Sequence, residues 1–385
     1  MKYSFIILFT IIIYTVSYSQ EKERNWTLNG YVKDMQTILF QRPDSAWLTD
    51  NLIHNRLNFK WYASGSLTAS VEVRNRFIYG EFIKYIPGYD EMIDINTGWL
   101  DVSDVLLKEN SFLLHSGIDR LWLDYTKNEF QVTIGRQRIN WGQTMVWNPN
   151  DLFNTYSFFD FDYEEKPGSD ALRLQYYTGA ASRVEMAVKA NSNDKITAAG
   201  LYGFNKFSYD IQFLGGFLNE QDYTIGAGWS GELFKGGFRG EANYFHPKDH
   251  FEDTSGVAVA TVSYEYTLKN GMFFLVQTLY NESGKKEGDF SLDEFYYQSL
   301  SAKNLSLTRW SFLGQVAHQV NPLVNVSFSA MYSPADESVY LGPTVALSLK
   351  DNLDLSLVAQ TFQSSQSTDL GGSGTFIFIR FKWSY

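Results

Sequence analysis

Apolar and polar side chains alternate with a period of two along most of the chain after Trp26. In the clearest stretch, Val324 to Tyr332, every second residue is apolar (Val, Val, Phe, Ala, Tyr), and residues 67–74, 353–360 and 377–385 follow the same pattern. A helix would instead repeat its apolar positions every three or four residues. The alternation therefore predicts β-strands of about ten to fifteen residues with one apolar face, which are typical of membrane barrels.

The connections between these segments alternate between tight turns and longer polar loops. Tight turns are predicted at Ser64-Gly65, Lys127-Asn128, Gly179-Ala180, Asn205-Lys206, Phe234-Lys235, Asn270-Gly271, Asn321-Pro322 and Asp351-Asn352. The longest intervening loops are 41–51, 80–110, 142–169, 247–255 and 282–304. Short turns at a periplasmic rim and long loops at an outer rim are the arrangement of a membrane barrel. Counting the segments gives about eighteen strands, with sixteen or fourteen as alternatives.

The predicted fold class is all-β, a single transmembrane antiparallel β-barrel. A soluble β-sandwich or propeller is the main alternative, but its strands are usually shorter and its two ends show no such difference in loop length. The sequence contains no blade-length repeat. After the N-terminal segment, no stretch is long and apolar enough for a membrane-spanning helix, which excludes a polytopic helical membrane protein.

The first residues have the layout of an export signal. Lys2 precedes an apolar run from Phe5 to Val16, and the small residues Ser17 and Ser19 come directly before a polar stretch. We expect cleavage before Gln20, so that residues 1–19 form a signal peptide and residues 20–385 the barrel. An uncleaved anchor helix is the alternative, although the apolar run is short for a span. Because the chain has no Cys, we expect neither a disulfide nor a lipid-modified N-terminus.

Composition and charge narrow the expected partners. Aromatic residues make up 17% of the chain, as expected where aromatic girdles meet outer-membrane lipid. The formal net charge is -11, and the sequence has no basic stripe that could bind phosphates, so no nucleic-acid partner is predicted. The segment from Ser373 to Tyr385 is expected to close the barrel and, with Phe381, Trp383 and Tyr385 on its apolar face, to be recognised by the barrel-assembly machinery. The expected location is the cell outer membrane.

The second face of each strand is expected to line the interior. Alternation along the strands predicts these pore-lining side chains: Arg56, Lys60, Glu72, Arg74, Arg76, Arg120, Asp124, Arg173, Arg183, Arg380 and Lys382. Most are basic and lie on early strands or on the closing strand, which become neighbours when the barrel closes. One interpretation is a wall that selects anionic or polar solutes, since charged walls set the ion preference of pores. The other is that charges merely avoid lipid.

The loop after Trp141 is acidic and about thirty residues long. The predicted constriction or loop latch consists of Arg136, Arg138, Trp141, Asp151, Asp160, Asp162, Glu164 and Glu165, with Asp170 beside them. Loops of this length are usually functional, and we expect this one to fold into the barrel opposite the basic wall. A calcium site is the alternative for the carboxylates, although their spacing matches no EF-hand loop. In the other long acidic loop, Val102 to Lys108 is predicted to form a helical turn or two.

Three short motifs resemble a largely uncharacterised family of porin-like outer-membrane proteins. The motifs are Gly135-Arg136-Gln137-Arg138-Ile139-Asn140-Trp141-Gly142, Asn148-Pro149-Asn150-Asp151 and Pro167-Gly168-Ser169-Asp170. They match the family patterns Gly-x-Gln-x-x-x-Trp-Gly, Asn-Pro-x-Asp and Pro-Gly-x-Asp within Gly135 to Leu172, roughly forty residues. The resemblance implies a porin-superfamily barrel and names no substrate. The Ser-Tyr-Ser-Gln cleavage region and the Tyr-rich and Asn-rich composition resemble proteins of Bacteroidetes.

The same motifs indicate a hinge where a strand passes into a loop. Gly135 and Gly142 permit bends or a bulge. Arg136 and Arg138 can bind carboxylates of the loop, and Asn148-Pro149 favours a rigid turn. The sequence leaves open whether this latch is only structural or also part of the passage.

No catalytic residue, cofactor or metal site is predicted. The five His residues are scattered, and the chain has no Gly-x-Ser-x-Gly nucleophile motif. His246 and His250 have the spacing of helical metal ligands, but Pro247 disfavours a helix between them. The sequence therefore favours a passive or gated porin-like channel for small anionic or polar solutes. The alternative is a barrel with a non-transport role, as a rim enzyme, an adhesin or a scaffold for a partner complex; the oligomeric state stays open.

Overall fold

The computed structural model of the protein describes residues 24–155, 158–159, 167–287, 301–363 and 373–385. The predicted signal peptide, residues 1–19, lies outside these ranges and stays a prediction. The described strands are β1 Trp26–Phe40, β2 Trp47–Tyr62, β3 Leu67–Gly80, β4 Ser103–Lys108, β5 Phe112–Lys127, β6 Phe130–Gln137, β7 Ser169–Gly179, β8 Ser182–Ala190, β9 Ile196–Lys206, β10 Tyr209–Leu218, β11 Asp222–Leu233, β12 Gly236–Pro247, β13 Val257–Thr267, β14 Phe273–Asn281, β15 Trp310–Asn321, β16 Val324–Ser333, β17 Ser338–Lys350, β18 Leu353–Gln363 and β19 Gly374–Ser384. Two short helices, α1 Glu81–Tyr85 and α2 Tyr89–Ile93, follow β3. None of the described helices is long and apolar enough to cross a membrane.

Eighteen of these strands form one closed antiparallel barrel, which confirms the predicted fold class and strand number. Neighbours in sequence pair with each other, and β19 pairs with β1 from Tyr31↔Ser384 to Phe40↔Thr375. The remaining strand, β4, has only 6 residues and belongs to the loop between β3 and β5. Closure removes the free edges of the sheet, so backbone groups in the wall have partners on both sides.

The two rims differ in loop length, as predicted. All eight predicted tight turns join consecutive strands at one rim, each within two residues of its predicted position. The loops 81–111 and 138–168 leave from the opposite rim. Two of the tight turns hold both central residues at positive φ without glycine: Phe207 and Ser208 at 57° and 64°, and Phe234 and Lys235 at 49° and 66°. This backbone shape is the one that a two-residue type I′ hairpin turn requires.

Each barrel strand has an apolar outer face and a polar inner face. On the outside, Ile225 and Val276 are 67% and 57% exposed. Their neighbours in sequence, Thr224 and Gln277, point inward and are buried. This distribution is the reverse of that in a soluble protein and is typical of a barrel surrounded by lipid.

A β-bulge in β5 shifts this alternation by one residue. Asp119 is the extra residue, placed between two consecutive pairs of the register with β3. Asp119 and the adjacent Arg120 are therefore both buried on the inner side. The outward apolar positions change from even-numbered residues such as Leu114 to odd-numbered residues such as Leu121.

The stretch from Val102 to Lys108 is extended, and the helical turn predicted there is wrong. Because β6 ends at Gln137, the outer half of β5 has no neighbour from β6 on that side. β4 takes this place, with Ser103 opposite Gly117. Unpaired backbone groups inside a wall are costly, which gives the physical reason for a strand at this position.

The loop 81–111 covers part of the inner wall near the outer rim. An apolar cluster on β1, β2, β3 and β5 forms its base, and the base consists of Met35, Leu52, Ile78 and Leu113. The side chains that pack against it from the loop are Ile83, Tyr89, Ile93 and Val105. Apolar burial therefore fixes this loop inside the mouth of the barrel.

We expect replacement of Phe234-Lys235 by Asn-Gly to stabilise the barrel by about 1 kcal/mol, because positive φ is costly for ordinary residues and is readily adopted by Asn and Gly. Unfolding of the protein in lipid vesicles by urea would measure the difference. Asn270-Gly271 provides the matched control, since changing it to Phe-Lys should lower stability. Equal unfolding midpoints for all three proteins would contradict this account of the turns.

Candidate functional site

The chain leaves the barrel wall after Gln137 and returns to it at Ser169. The segment between them, residues 138–168, is called the inner loop, and 138–155, 158–159 and 167–168 of it are described. Gly135 shapes the exit. Its φ is 113°, and a Cβ there would lie 2.2 Å from the carbonyl oxygen of Leu121. Only glycine fits this bend, which agrees with the hinge that the sequence indicates.

Inside the barrel the inner loop makes a compact turn. The backbone N–H of Asp151 donates to the Asn148 carbonyl at 3.1 Å, and the Thr144 hydroxyl donates to the carbonyl of Trp147. Gly142 has no room for a side chain, because a Cβ would lie 2.3 Å from Oδ1 of Asn148. Local hydrogen bonds thus give the loop a defined shape of its own.

Glu241 of β12 is the first wall residue that anchors the inner loop. Its carboxyl group is 1% exposed and accepts three backbone hydrogen bonds. The donors are the N–H groups of Gln143, Thr144 and Asn150, the last two at 2.8 and 3.0 Å. Backbone N–H groups buried away from water need such acceptors, so Glu241 holds the loop where the strand ladder cannot.

Glu185 of β8 is the second anchor. Its side chain is fully buried and accepts a 2.5 Å hydrogen bond from the indole N–H of Trp141. Arg173 donates to the same oxygen at 2.7 Å, and Arg183 lies 3.4 Å from the other oxygen. The predicted latch residue Trp141 and the predicted pore-lining residues Arg173 and Arg183 therefore meet at one carboxylate.

Amide side chains on the same half of the wall bind the loop backbone. Gln212 donates to the Trp141 carbonyl at 2.6 Å. Gln277 accepts from the N–H of Val146 at 3.1 Å and donates to the Trp147 carbonyl at 3.2 Å. Donors and acceptors on the wall thus match those of the loop, which fixes its register against β10 and β14.

The far end of the inner loop reaches the opposite wall. The Phe159 ring lies 4.9 Å from that of Tyr340 on β17 and 5.3 Å from that of Phe362 on β18, measured between centroids. Gln360 of β18 donates to the Phe159 carbonyl at 3.3 Å. The loop therefore crosses the interior from β8 to β18. The predicted acidic residues Asp160, Asp162, Glu164 and Glu165 lie outside the described residues.

Arg136 of β6 ties the loop 81–111 to the two strands that flank the inner loop. Its guanidinium binds both carboxylate oxygens of Asp170, at 2.7 and 2.8 Å, and donates to the Leu100 carbonyl at 2.5 Å. Asp170 in turn accepts the N–H of Leu100 at 2.8 Å. Such a two-pronged Arg–carboxylate contact is geometrically specific. Of the other predicted latch residues, Asp151 is buried and Arg138 is exposed.

The inner face of β1, β2, β3, β5 and β19 carries more basic than acidic side chains. Eight are basic: Lys33, Arg56, Lys60, Arg74, Arg76, Arg120, Arg380 and Lys382. Four are acidic: Asp50, Glu72, Asp119 and Asp124. Part of this charge is neutralised, since Arg56 lies 2.5 Å from Asp119 and 2.6 Å from Glu72, and Arg74 lies 3.4 Å from Asp119. A positive excess remains on this half of the wall.

The other predicted pore-lining residues lie nearer the turn rim or along the closing strand. Lys60 lies over the ring of Trp122, 5.7 Å from its centroid, and Lys382 over that of Tyr31, at 4.5 Å. Asp124 accepts hydrogen bonds from Thr126, Gln131 and Thr133. Arg380 donates to Ser356 at 3.2 Å, and Arg120 to the Asp119 carbonyl at 3.0 Å. These contacts fix the directions of the charges.

Several wall residues at the site were missed by sequence reasoning. The main ones are Asp119, Gln212, Glu241 and Gln277. Glu241 follows Gly240 and precedes Ala242, so the period of two places it on the inner face of β12, and that signal was available in the sequence. The bulge at Asp119 left a weaker signal, the change of apolar parity along β5.

A cavity of about 500 Å³ lies between the two long loops and the basic wall. Its lining includes Arg74, Arg76, Asp119 and Lys189. Asn154 and Ser169 border it from the inner loop and from the strand that follows it. Charged and polar side chains from both the inner loop and the wall therefore line the cavity.

The histidines do not assemble into a metal centre among the described residues, which contain no group of three or more potential metal ligands. Nε2 of His246 lies 2.8 Å from the Phe251 carbonyl oxygen. His115 lies 2.9 Å from Asp94, a residue of the loop that covers the inner wall. Both contacts connect a strand with a loop.

We expect Glu241→Ala to release the inner loop, since losing three hydrogen bonds destabilises the docked position by about 3 kcal/mol at about 1 kcal/mol each. Limited digestion with chymotrypsin should then cut at Trp147, which is buried in the parent protein. Glu72→Ala is the matched control, because it removes an inner-wall carboxylate that contacts Arg56 instead of the loop. Equal resistance of both variants to digestion would refute the anchoring role of Glu241.

Neither a protein-family model nor a curated protein matches the sequence. Solved structures match it in fold. The barrel is similar to OccAB2 of Acinetobacter baumannii, with a TM-score of 0.58 and 10% identity over 94% of this chain and 98% of that one. It is also similar to OccK11 (OpdR) of Pseudomonas aeruginosa, with a TM-score of 0.57 and 7% identity over 94% and 96%.

A third similar structure is OccK7 (OpdD) of Pseudomonas aeruginosa, with a TM-score of 0.55 and 10% identity over 94% of this chain and 99% of that one. Identities at this level establish a common fold and leave substrate and mechanism open. The described barrel spans nearly the full length of each of these proteins. The chain therefore has the fold of the Occ and Opd outer-membrane porins.

Proposed function

We propose that the protein is an outer-membrane channel for small polar solutes that prefers anionic ones. The observation that carries this proposal is the closed eighteen-strand barrel with a polar interior and a basic excess on one half of its wall. The porins of the same fold support a channel in the outer membrane. Charged groups along a pore wall attract the oppositely charged ion and repel the other, which supports the preference for anions.

The inner loop divides the interior and sets the course of the passage. Because it is bonded to β8, β10, β12 and β14 and reaches β18, the free space lies towards β3 and β5. Arg74 and Arg76 border the cavity on that side. A solute from the outer rim would pass between these two side chains and the inner loop. The charge of the solute would therefore interact with these two guanidinium groups on its way through the barrel.

The first test is conductance of the purified protein in a planar lipid bilayer. We expect stepwise single-channel currents, and larger ones after deletion of residues 142–168, because the deletion removes the segment that crosses the interior. A protein that conducts neither before nor after the deletion would contradict the channel.

We expect Arg74→Ala to reduce the preference for anions over cations. A unit charge about 4 Å from a passing ion contributes about 1 kcal/mol in water, which corresponds to roughly a fivefold change in ion preference. Asp119 keeps its contact with Arg56, so the variant should fold. The reversal potential in a potassium chloride gradient measures the effect. Lys248→Ala, in an exposed outer loop, is the control, and equal shifts in both variants would contradict selection by the wall.

A non-transport role is the second candidate, and one observation favours it. The inner loop touches walls on opposite sides of the barrel through Trp141 and Phe159. A barrel closed by such a loop would serve as an adhesin, a scaffold or a rim enzyme. This candidate predicts no conductance in the parent protein and no effect of Arg74→Ala on its activity.

A further inference from the structure

The outer surface of the barrel carries a row of polar side chains within its apolar band. Asn55 of β2 stands directly opposite Asn75 of β3, and Asn75 opposite Ser116 of β5. The side-chain N–H of Asn75 donates to Oδ1 of Asn55 at 3.3 Å, and the Ser116 hydroxyl donates to Oδ1 of Asn75 at 2.8 Å. Their sequence neighbours, such as Arg56 and Arg74, point into the barrel, so this row faces outward.

Asp34 of β1 places a carboxylate beside this row, two residues along β1 from Val32, the residue directly opposite Asn55. It lies between Lys33 and Met35, which are buried on the inner side, so its own side chain points outward and is exposed. Its register partners on β2 and β19 are the apolar residues Ile53 and Phe381. Within the described part of the chain, Asp34 has no hydrogen-bond or ion-pair partner.

The row lies at a depth where the surface is otherwise apolar. Along the outer face of β3, Asn75 has Val71 and Val73 on the side of the turn rim and Phe77 and Tyr79 on the side of the outer rim. Aromatic and aliphatic side chains at such positions meet lipid. On β3 the polar row is therefore separated from water at both rims, whereas on β1 and β2 the hydrogen-bonded pair Gln36 and Asn51 continues it toward the outer rim.

On another part of the barrel, the outward-facing side chains near the middle of the strands are apolar. Ala227, Ala242 and Ala260 stand opposite one another on β11, β12 and β13, also facing outward. Their row needs no hydrogen bonds, whereas the row of Asn55 and Asn75 does. The polar row therefore differs from the alanine row in carrying hydrogen-bonding groups, and lipid tails cannot serve as hydrogen-bond partners for them.

Closing the barrel explains only part of the polar row. Asn55 also donates to the hydroxyl group of Tyr385 at 3.1 Å, and this contact links β2 to the closing strand. A structural role of this kind accounts for the amides. It leaves the exposed carboxylate of Asp34 unexplained, since a charge facing lipid destabilises a barrel.

We propose that this polar row is a contact with a second copy of the chain in the plane of the membrane. Asn and Gln side chains each carry both donors and acceptors, so the row can pair with an identical row related by rotation. Each amide NH2 group carries two N–H donors, so the amides of Asn55, Gln36 or Asn51 on the neighbouring copy can donate to Asp34 in addition to their contacts within their own chain. The inference goes beyond the proposed channel and does not depend on it.

Cysteine cross-linking in intact outer membranes tests the contact, because the chain has no cysteine of its own. Ile53→Cys places a thiol beside Asp34, and Ile225→Cys places one on the outer face of β11 at a similar distance from the turn rim. Oxidation should give a covalent dimer of the chain at position 53 and none at position 225. Equal cross-linking at both positions, or none at either, would overturn the proposal, and so would an adduct whose mass fits a different protein.

A second variant tests the chemistry of the contact. Asp34→Leu should weaken self-association about tenfold, since a hydrogen bond to a charged group corresponds to about one factor of ten in an equilibrium constant. Native mass spectrometry of detergent-solubilised protein measures the ratio of monomer to oligomer. Heat-dependent migration on a gel checks that the barrel has folded, and Asp44→Leu, in an exposed loop, is the control. Unchanged association of Asp34→Leu would overturn the proposal even if channel conductance is normal.

Discussion

The need to pair every backbone N–H and C=O group away from water is the constraint on which the rest of this structure depends. In the wall, the ladder of eighteen strands and the pairing of β1 with β19 satisfy it. Where β6 ends, β4 takes over the pairing with β5. Where the chain crosses the interior, no strand is available, and wall side chains such as Glu241 and Gln277 become the partners.

Because of this constraint, the two halves of the inner wall, β8 to β14 and β1 to β5 with β19, differ in what their polar side chains contact. On β8 to β14, polar side chains are occupied by the inner loop and hold it in one register. On β1 to β5 and β19, the excess of basic side chains borders the remaining space. The inner loop contacts the half from β8 to β14 first, and its far end then meets β17 and β18. On the half formed by β1 to β5 and β19, Arg56 forms ion pairs with both Glu72 and Asp119 and so links β2 to β3 and β5.

Much of the fold could be predicted from the sequence, because the period of two and the turn residues are local signals. The strands, their number and the eight tight turns follow from them. The contacts at the site were harder to predict from the sequence. The alternation along the strands predicted that Arg74 and Arg173 point inward. The partners of the inner loop could not be predicted, because they depend on which strands face each other across the closed barrel. Glu241 has the right parity, yet nothing local distinguishes an anchor from a water-facing carboxylate. The bulge at Asp119 and the strand at Ser103–Lys108 arise from pairing between distant segments.

The contact between Asn55 and Tyr385 spans 330 positions of the sequence. During synthesis, β1 therefore emerges long before β19, the strand that completes its second side. Throughout that interval the edge of β1 that β19 later covers offers unpaired backbone groups to any other chain. The interval before closure is thus the most aggregation-prone period of the chain, and its yield should depend on chaperone supply more than on the stability of the finished barrel.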